Sequence, residues 1–287
     1  MREQLLAKLD ERIEQIVRRR KVNDEKIIKK LDSCMKRKAD IVKVLAEGQI
    51  NSLDEDGEHV YLHYDVRLKY LIRQCGKMYI EEEVENRKAS FYKGSLYEEV
   101  EVPVPTSQQP LDLFIDTDSS LERAPFYYDR LKAVQYAERW WNEYNPAYEK
   151  FENDCTNYIS QCLRAGGSPM RGYPNRSNGW WYQNKNWSYS WSVANALKIY
   201  LGSSKTGLRA REVHDPLELK LGDVICYAFQ GDGRFDHNTI VTGKDYNGEP
   251  LVNAHTYNSR MRYWAYEDST AYTPNIKYKM YSIVDDA

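Results

Sequence analysis

The first 47 residues carry apolar side chains at three- and four-residue steps, the spacing of one face of a helix. A polar stretch, "KVNDEK", interrupts the pattern, and Asn23 or Asp24 within it could cap a second helix. The sequence therefore predicts a helical segment at 1–47, formed either as an α-hairpin or as one long helix. The apolar positions are Leu5, Leu6, Leu9, Ile13, Ile16, Val17, Ile27, Ile28, Leu31, Met35, Ile41, Val42 and Leu45.

The pattern changes in residues 48–105, where β-branched and aromatic residues alternate with polar ones. The stretches "HVYLHYDVRLKYLI", "KMYIEEEVENRKASFY" and "SLYEEVEVPVP" are separated by "CGK" and "KGS", which are suited to turns. We expect a small antiparallel sheet with one face in water. Together with the helices it would form one N-terminal α+β unit, similar to the cystatin or NTF2 type.

A second domain is predicted at 126–287, after a linker at 106–125 that is marked by proline, serine, threonine and aspartate. Its first part is helical: "YYDRLKAVQYAERWWNEY" ends before Pro146, and "DCTNYISQCLRAGG" follows. A loop-rich stretch comes next, and the strands "DVICYAF", "HNTIVTGKD", "PLVNAHTY" and "IKYKMYSIV" complete the chain. The whole chain is thus expected to be of the α+β class.

Composition and charge narrow the possible partners. A formal net charge of -2 gives no overall field that would attract nucleic acid. The N-terminus, "MREQLLAKLDERIEQIVRRR", lacks the apolar run of a signal peptide or a spanning helix. We therefore expect no membrane insertion and a cytoplasmic location by default, with export by another route left open. Five cysteines without a CxxC pair suggest neither a disulfide framework nor a zinc ribbon, and no cofactor is expected.

A candidate nucleophile stands at the start of a predicted helix. Asn153 or Asp154 could cap this helix, and Cys155 follows them at its first turn. The N–H groups and the positive end of the helix dipole lower the pKa of a thiol placed there, and the same N–H groups can hold an oxyanion. Asp154 would oppose the lowering slightly. Cys162 lies two turns further on, where packing in the core is the expected role.

A thiolate nucleophile requires a base, and the base requires a group that orients it. His237 opens the strand "HNTIVTG", and a side chain at a strand entrance can face a cleft. Asn253 and His255 lie two residues apart on the next strand, so their side chains share one face. An amide oxygen such as that of Asn253 can accept from an imidazole N–H and fix its tautomer. His255 competes for this role.

Several ordered motifs resemble a known group of enzymes. "NDCTNYISQCL", "LGDVICY", "DHNTIV" and "LVNAHT" are similar to motifs of the NlpC/P60 and CHAP papain-like cysteine peptidases, and most similar to those of bacterial putative amidase domain proteins. The resemblance extends from Tyr127 to Val284. It implies a papain-like, NlpC/P60-type fold, with Cys155 as the nucleophile, His237 as the base and Asn253 as the orienter. His255 is the alternative orienter.

The resemblance also implies the kind of substrate. Cysteine-dependent hydrolysis of an amide bond in a small peptide is expected, with peptidoglycan stem peptides as the family-based choice. The chain is rich in Tyr and Trp, which suit polar surfaces that bind a ligand by stacking. The stretch "SNGWWYQNKNWSYSW" would supply walls of the cleft, although core packing is an equal alternative for its tryptophans. The expected substrate-binding residues are Asp154, Trp180, Trp181, Trp187 and Trp191.

Two alternatives to catalysis by a cysteine remain open. Cys155, Cys162, His237 and His255 could together bind zinc, but structural zinc sites prefer shorter chelate pairs on turns. No metal site is therefore expected. A catalytically inactive papain-like module that only binds cell-wall peptides or glycans is the other alternative, and it would keep the aromatic loops without the thiolate chemistry.

Overall fold

The structure, a computed structural model, describes residues 1–19, 22–103, 126–256 and 258–286. The chain divides into two units, and a segment from the C-terminal part of the sequence belongs to the N-terminal unit. The N-terminal unit contains Met1–Val104 and also Tyr257–Thr270, and the C-terminal unit contains Pro105–Thr256 and Ala271–Ala287. The described residues form mixed α and β structure, in which antiparallel sheets and six α-helices dominate. The predicted linker at 106–125 lies wholly outside the described residues.

The N-terminal unit is a helical hairpin followed by a meander of long strands. Helix α1 ends where Arg19 takes a left-handed φ of 52°, and Asp24 caps α2 by accepting from the N–H groups of Lys26 and Ile27. The strands are ordered β1-β2-β3-β11, and β4 also pairs with β3. The elements are α1 (Arg2–Arg18), α2 (Glu25–Lys36), β1 (Ala39–Asp56), β2 (His59–Gln74), β3 (Lys77–Tyr92), β4 (Ser95–Glu101) and β11 (Ser259–Tyr263).

Residues 39–47 form a strand, where the sequence pattern predicts the end of a helical segment. The cause is a bulge in the pairing of β1 with β2 between Ile41 and Lys43. The bulge adds one residue to β1, so the alternation of side chains shifts by one position. Ile41 and Val44 therefore both face the core and are buried, although they are three residues apart. A strand with this defect has the same apolar spacing as a helix.

The core-facing side of β3 is charged as well as buried. Glu81, Glu83 and Glu85 alternate along the strand and are 1–5% exposed. Burial alone would raise the pKa of the Glu81 carboxyl, but Lys30 and Arg37 outweigh it and the pKa is lowered. We call this group the buried ion-pair network. Its ion pairs include Arg12–Glu85 (2.9 Å), Lys26–Glu83 (3.3 Å), Lys26–Glu85 (2.8 Å), Lys30–Glu81 (2.6 Å), Arg37–Glu81 (3.1 Å), Lys30–Asp268 (3.1 Å) and Arg262–Asp268 (2.9 Å).

The C-terminal unit packs helices against a sheet with strand order β10-β9-β8-β12-β7. Helix α4 lies in its core, where Ile159 and Leu163 belong to the same cluster as Cys226 and Ile240 of the sheet. The helices are α3 (Arg130–Trp140), α4 (Cys155–Ala165), α5 (Tyr189–Ser192) and α6 (Ala194–Ser203), with a 3-10 turn at Pro216–Glu218. The strands are β5 (Tyr182–Gln183), β6 (Asn186–Trp187), β7 (Arg209–Val213), β8 (Val224–Ala228), β9 (His237–Lys244), β10 (Pro250–Ala254) and β12 (Lys277–Val284).

None of the helices in the described ranges combines the length and the apolar character that crossing a membrane requires.

Candidate active site

The first N–H groups of α4 are capped by a residue about a hundred positions further along the chain. Asp154 occupies the N-cap position, but its side chain makes no capping bond to the helix. Instead, Thr256 Oγ1 accepts from the N–H of Asp154 at 2.9 Å and from that of Cys155 at 3.1 Å. Sequence analysis missed Thr256, since no local pattern relates the end of β10 to the start of α4.

The carboxylate of Asp154 is turned inward and its oxygens are both engaged. Oδ1 accepts from the N–H of Phe151 at 3.1 Å and from Nδ2 of Asn157 at 2.9 Å. Oδ2 lies 2.8 Å from Nδ1 of His255. With Asp154 only 1% exposed, these contacts anchor the start of α4. The substrate contact expected for Asp154 would require one of these bonds to break.

His255 is held on both sides of its ring. Nε2 lies 2.6 Å from the carbonyl oxygen of Trp140 and therefore donates to it. The ring stacks on Tyr158 with centroids 4.0 Å apart and planes at 12°. A carbonyl oxygen faces one ring nitrogen and a carboxyl oxygen faces the other, so His255 bridges Trp140 and Asp154. The geometry is that of a buried anchor that connects β10, α3 and α4.

The thiol of Cys155 lies at the junction of α4 with the start of β9. Its sulfur is 3.7 Å from Thr156 Oγ1, and the backbone N–H groups of Asn238 and Thr156 donate to it. Burial raises the pKa of the Cys155 thiol, and the charge of Asp154 adds to this effect. The hydrogen bonds from Thr156 and Asn238 lower the pKa but do not outweigh burial. The lowered pKa expected at a helix start is therefore wrong for the free protein, because the Cys155 side chain is buried.

His237 begins β9 and meets the thiol region through its main chain. Asn238 pairs with Cys226 on the core side of the sheet, and its Nδ2 donates to Thr156 Oγ1 at 3.0 Å. Successive side chains of a strand point to opposite faces, so the ring of His237 lies on the other side. There its centroid is 5.7 Å from that of Tyr227 and 6.0 Å from that of Phe229. The peptide between His237 and Asn238 thus passes the sulfur, while the imidazole packs beside aromatic rings.

Asn253 lies further along the sheet, opposite Ile240 of β9. Its Oδ1 accepts from Thr242 Oγ1 at 2.7 Å, and its Nδ2 donates to Glu138 Oε1 at 2.8 Å. These contacts join β9, β10 and α3. The amide of Asn253 therefore lies beside Ile240, which is three residues further along β9 than His237.

Of the four tryptophans expected to form walls of a cleft, only Trp187 is exposed to solvent in part. Trp180, Trp181 and Trp191 are 0–1% exposed and pack inside the unit. Trp187 is partly exposed, and its ring lies 4.8 Å from that of Phe151. Because the N–H of Phe151 bonds to Asp154, the Trp187–Phe151 surface adjoins the start of α4.

The four residues of the zinc alternative do not converge on one point. Cys162 lies on α4 and is fully buried in the core, and both nitrogens of His255 already have partners. In the part of the chain that the structure describes, no group of three or more His, Cys, Asp or Glu side chains could hold a metal ion.

Comparison with known proteins identifies a family to which this chain is similar. Residues 127–281 match the family described as "Putative amidase domain". The chain is 50% identical to "Uncharacterized protein YhbB" of Bacillus subtilis (strain 168) over 274 residues, which cover 92% of this chain and 88% of the relative. It is also 31% identical to "Uncharacterized protein YjcM" of the same organism over 140 residues, or 46% of this chain and 31% of that relative. No solved structure was found to match the chain. The resemblance to the amidase domain proteins is confirmed, whereas the kinship with NlpC/P60 and CHAP enzymes stays a prediction.

Proposed function

Because the chain belongs to the putative amidase domain family, which indicates amide hydrolysis at a general level, we propose that it is a cysteine-dependent amidase. Its substrate would be a small peptide, with peptidoglycan stem peptides as the first class to test. Cys155 would be the nucleophile and His237 the base, in a C-terminal unit of papain-like type.

The observation that carries the proposal is the position of the Cys155 sulfur. It lies at the start of a helix, 3.7 Å from Thr156 Oγ1, to which the side chain of Asn238, the residue directly after His237, donates a hydrogen bond. Three separate parts of the sequence therefore meet at this point: the start of α4, the start of β9 and, through Thr256, the end of β10. A nucleophile and a base on adjacent elements are what acyl transfer to a thiol needs.

Proton transfer requires a rearrangement of His237. Its ring lies beside Phe229 and Tyr227, and its place at the first residue of β9 lets the side chain turn around the end of the strand. Once near the sulfur, the imidazole would take the thiol proton, and the thiolate would attack the amide carbonyl. The imidazolium would then protonate the leaving amine, and water would hydrolyse the thioester. Catalytic hydrogen bonds often form only in the complex with substrate.

The role of Asn253 would differ from that of an orienter. Its bonds to Thr242 and Glu138 support a role in holding β9 and β10 against α3. His255, bonded to Asp154, would hold the start of α4 in the same way. We therefore expect His237 to act without either residue as a direct partner, so that the site is a dyad.

The test is a screen of the purified full-length protein with muropeptides, followed by mass spectrometry for hydrolysed amide bonds. Cleavage by the wild type and by Cys75→Ala, together with its loss in Cys155→Ala and His237→Ala, would support the proposal. Cys75 is the matched control because it is an exposed cysteine in the N-terminal unit. Activity that survives in Cys155→Ala would refute the cysteine mechanism.

A second candidate is a module that binds cell-wall peptides or glycans without cleaving them. The raised pKa of the Cys155 thiol and the position of the His237 ring favour it, since both describe an unreactive thiol. Binding of muropeptides measured by calorimetry, equal in the wild type and in Cys155→Ala and without any product, would favour this candidate over the amidase.

A further inference from the structure

Thr256 combines two features that are unusual for a threonine. Its φ of +75° lies in the left-handed region, which a β-branched side chain rarely adopts. Strain of this kind costs about 1–3 kcal/mol and persists where the surrounding structure enforces it, often at a functional site. The second feature is the position of its hydroxyl on the N–H groups of Asp154 and Cys155.

These N–H groups are the donors that a cysteine at a helix start would be expected to offer to an oxyanion. The hydroxyl of Thr256 occupies them, at 2.9 Å and 3.1 Å. Its oxygen uses its acceptor capacity on these two bonds, so the single hydroxyl hydrogen must point elsewhere. No residue that the structure describes provides an acceptor for that hydrogen. Thr256 is partly exposed, which lets a substrate approach it.

We propose that the hydroxyl of Thr256 is the donor that stabilises the oxyanion during amide hydrolysis, a catalytic role that rests on the proposed function of Cys155. When the thiolate forms its bond to the carbonyl carbon, the carbonyl π electrons move to oxygen. The hydroxyl of Thr256 donates to that oxygen while Asp154 and Cys155 donate to the hydroxyl. Through these two successive hydrogen bonds, the positive end of the α4 dipole stabilises the negative charge on the oxyanion. The C=O bond then re-forms as the amine leaves with the proton from His237.

The experiment measures the tetrahedral adduct itself, so it does not depend on the natural substrate. The probe is N-acetylglycinal labelled with carbon-13 at its aldehyde carbon, added to the full-length protein and followed by NMR. Addition of the thiol to the aldehyde gives a hemithioacetal whose oxygen takes the place of the oxyanion. The dissociation constant of this adduct is compared in the wild type, Thr256→Ser, Thr256→Val, Cys155→Ala and Ser203→Ala. Ser203 is a distant control whose hydroxyl bonds to the carbonyl of Ile199.

We expect Thr256→Val, which keeps the shape and removes the hydroxyl, to weaken the adduct roughly 100-fold, the lower end of the loss for one oxyanion donor. Thr256→Ser and Ser203→Ala should remain within about threefold of the wild type. The rate of alkylation of Cys155 by iodoacetamide, which forms no oxyanion, should not change in Thr256→Val. A fall in that rate by the same factor would mean that Thr256 only positions the helix, and would overturn the proposal.

The remaining outcomes separate this inference from the proposed function. If the wild type forms no adduct that disappears in Cys155→Ala, both the nucleophile and the oxyanion donor are refuted. If the adduct forms on Cys155 and is equally stable in Thr256→Val, the nucleophile stands and the role of Thr256 is refuted. An adduct that is tighter in Thr256→Val would mean that the hydroxyl blocks the N–H of Cys155, which is the opposite role.

Discussion

Replacing Asp154 should lower the free energy of unfolding of the C-terminal unit by more than the loss of an ordinary residue at a helix start would. The carboxylate accepts from Phe151, Asn157 and His255 within 3.1 Å and is buried. Asp154→Ala leaves these donors without their acceptor and separates His255 from its partner. A buried donor left without its acceptor costs about 1–3 kcal/mol, and with three donors affected we expect a loss of about 3–5 kcal/mol.

Asp154→Asn should cost much less, about 1–2 kcal/mol, because charged hydrogen bonds become neutral ones. The amide oxygen can still accept from Phe151 and Asn157. The new NH2 group would then face Nδ1 of His255, which accepts if the proton of the ring stays on Nε2. That tautomer keeps the bond to the carbonyl of Trp140.

The assay is urea unfolding followed by tryptophan fluorescence, which reports mainly on the C-terminal unit because all tryptophans except Trp264 belong to it. The matched control is Asp129→Ala, which removes an exposed capping bond to the N–H of Lys132 at the start of α3. If Asp154→Ala destabilises the protein no more than Asp129→Ala does, the carboxylate is not an anchor. If Asp154→Asn is as damaging as Asp154→Ala, His255 cannot adopt the neutral tautomer that the reasoning requires.

Three further predictions concern packing and charge. Gly166→Ala should destabilise the C-terminal unit by about 1–3 kcal/mol, since a Cβ there would lie 2.3 Å from a buried tyrosine ring, whereas Gly48→Ala in the N-terminal unit, with its nearest contact at 4.0 Å, should be tolerated; urea titration followed by circular dichroism reports on both units. Lys30→Met should lower the thermal midpoint by several degrees, because it removes the cation that the buried carboxylates of Glu81 and Asp268 share and leaves each with one arginine, whereas Lys36→Met, at an exposed pair, should not. Burial would raise the pKa of Glu85, but its cations lower the pKa well below the usual value. The stability that Glu85 confers should therefore be complete above about pH 4.3 and be lost as pH falls further, and an acid titration by circular dichroism without such a loss would contradict this.

The sequence predicts those parts of the site that depend on local chemistry. The start of α4 at Cys155, its end before Gly166 and the start of β9 at His237 all agree with the residue types and apolar spacing of the sequence, although the side chain of Asp154 makes no capping bond. The alternation of Glu81, Glu83 and Glu85 could not reveal which face is buried, because β3 has polar residues on both sides. Their burial depends on cations from α1 and α2, which only the fold brings near.

The parts that the sequence does not predict depend on contacts across long stretches of chain. Thr256 caps α4 from the turn that follows β10, and nothing near residue 154 indicates it. The raised pKa of the Cys155 thiol follows from enclosure by the fold, whereas a helix start by itself lowers a thiol pKa. The aromatic stretch gives no sign that Trp180 and Trp191 are buried while Trp187 reaches the surface, since all have the same preference.

Because the segment Tyr257–Thr270 belongs to the N-terminal unit, the chain connects the two units more than once. The chain passes from one unit to the other after Val104, after Thr256 and after Thr270. A protease that cuts once within 106–125 would therefore not release the N-terminal unit. The two fragments would stay associated, because β11 pairs with β3 and Asp268 bonds to Lys30 within that unit. Such a nicked protein would migrate as two bands in a denaturing gel and as one species in gel filtration, and Thr256 would still be joined by its own backbone to the strand that holds the fragments together.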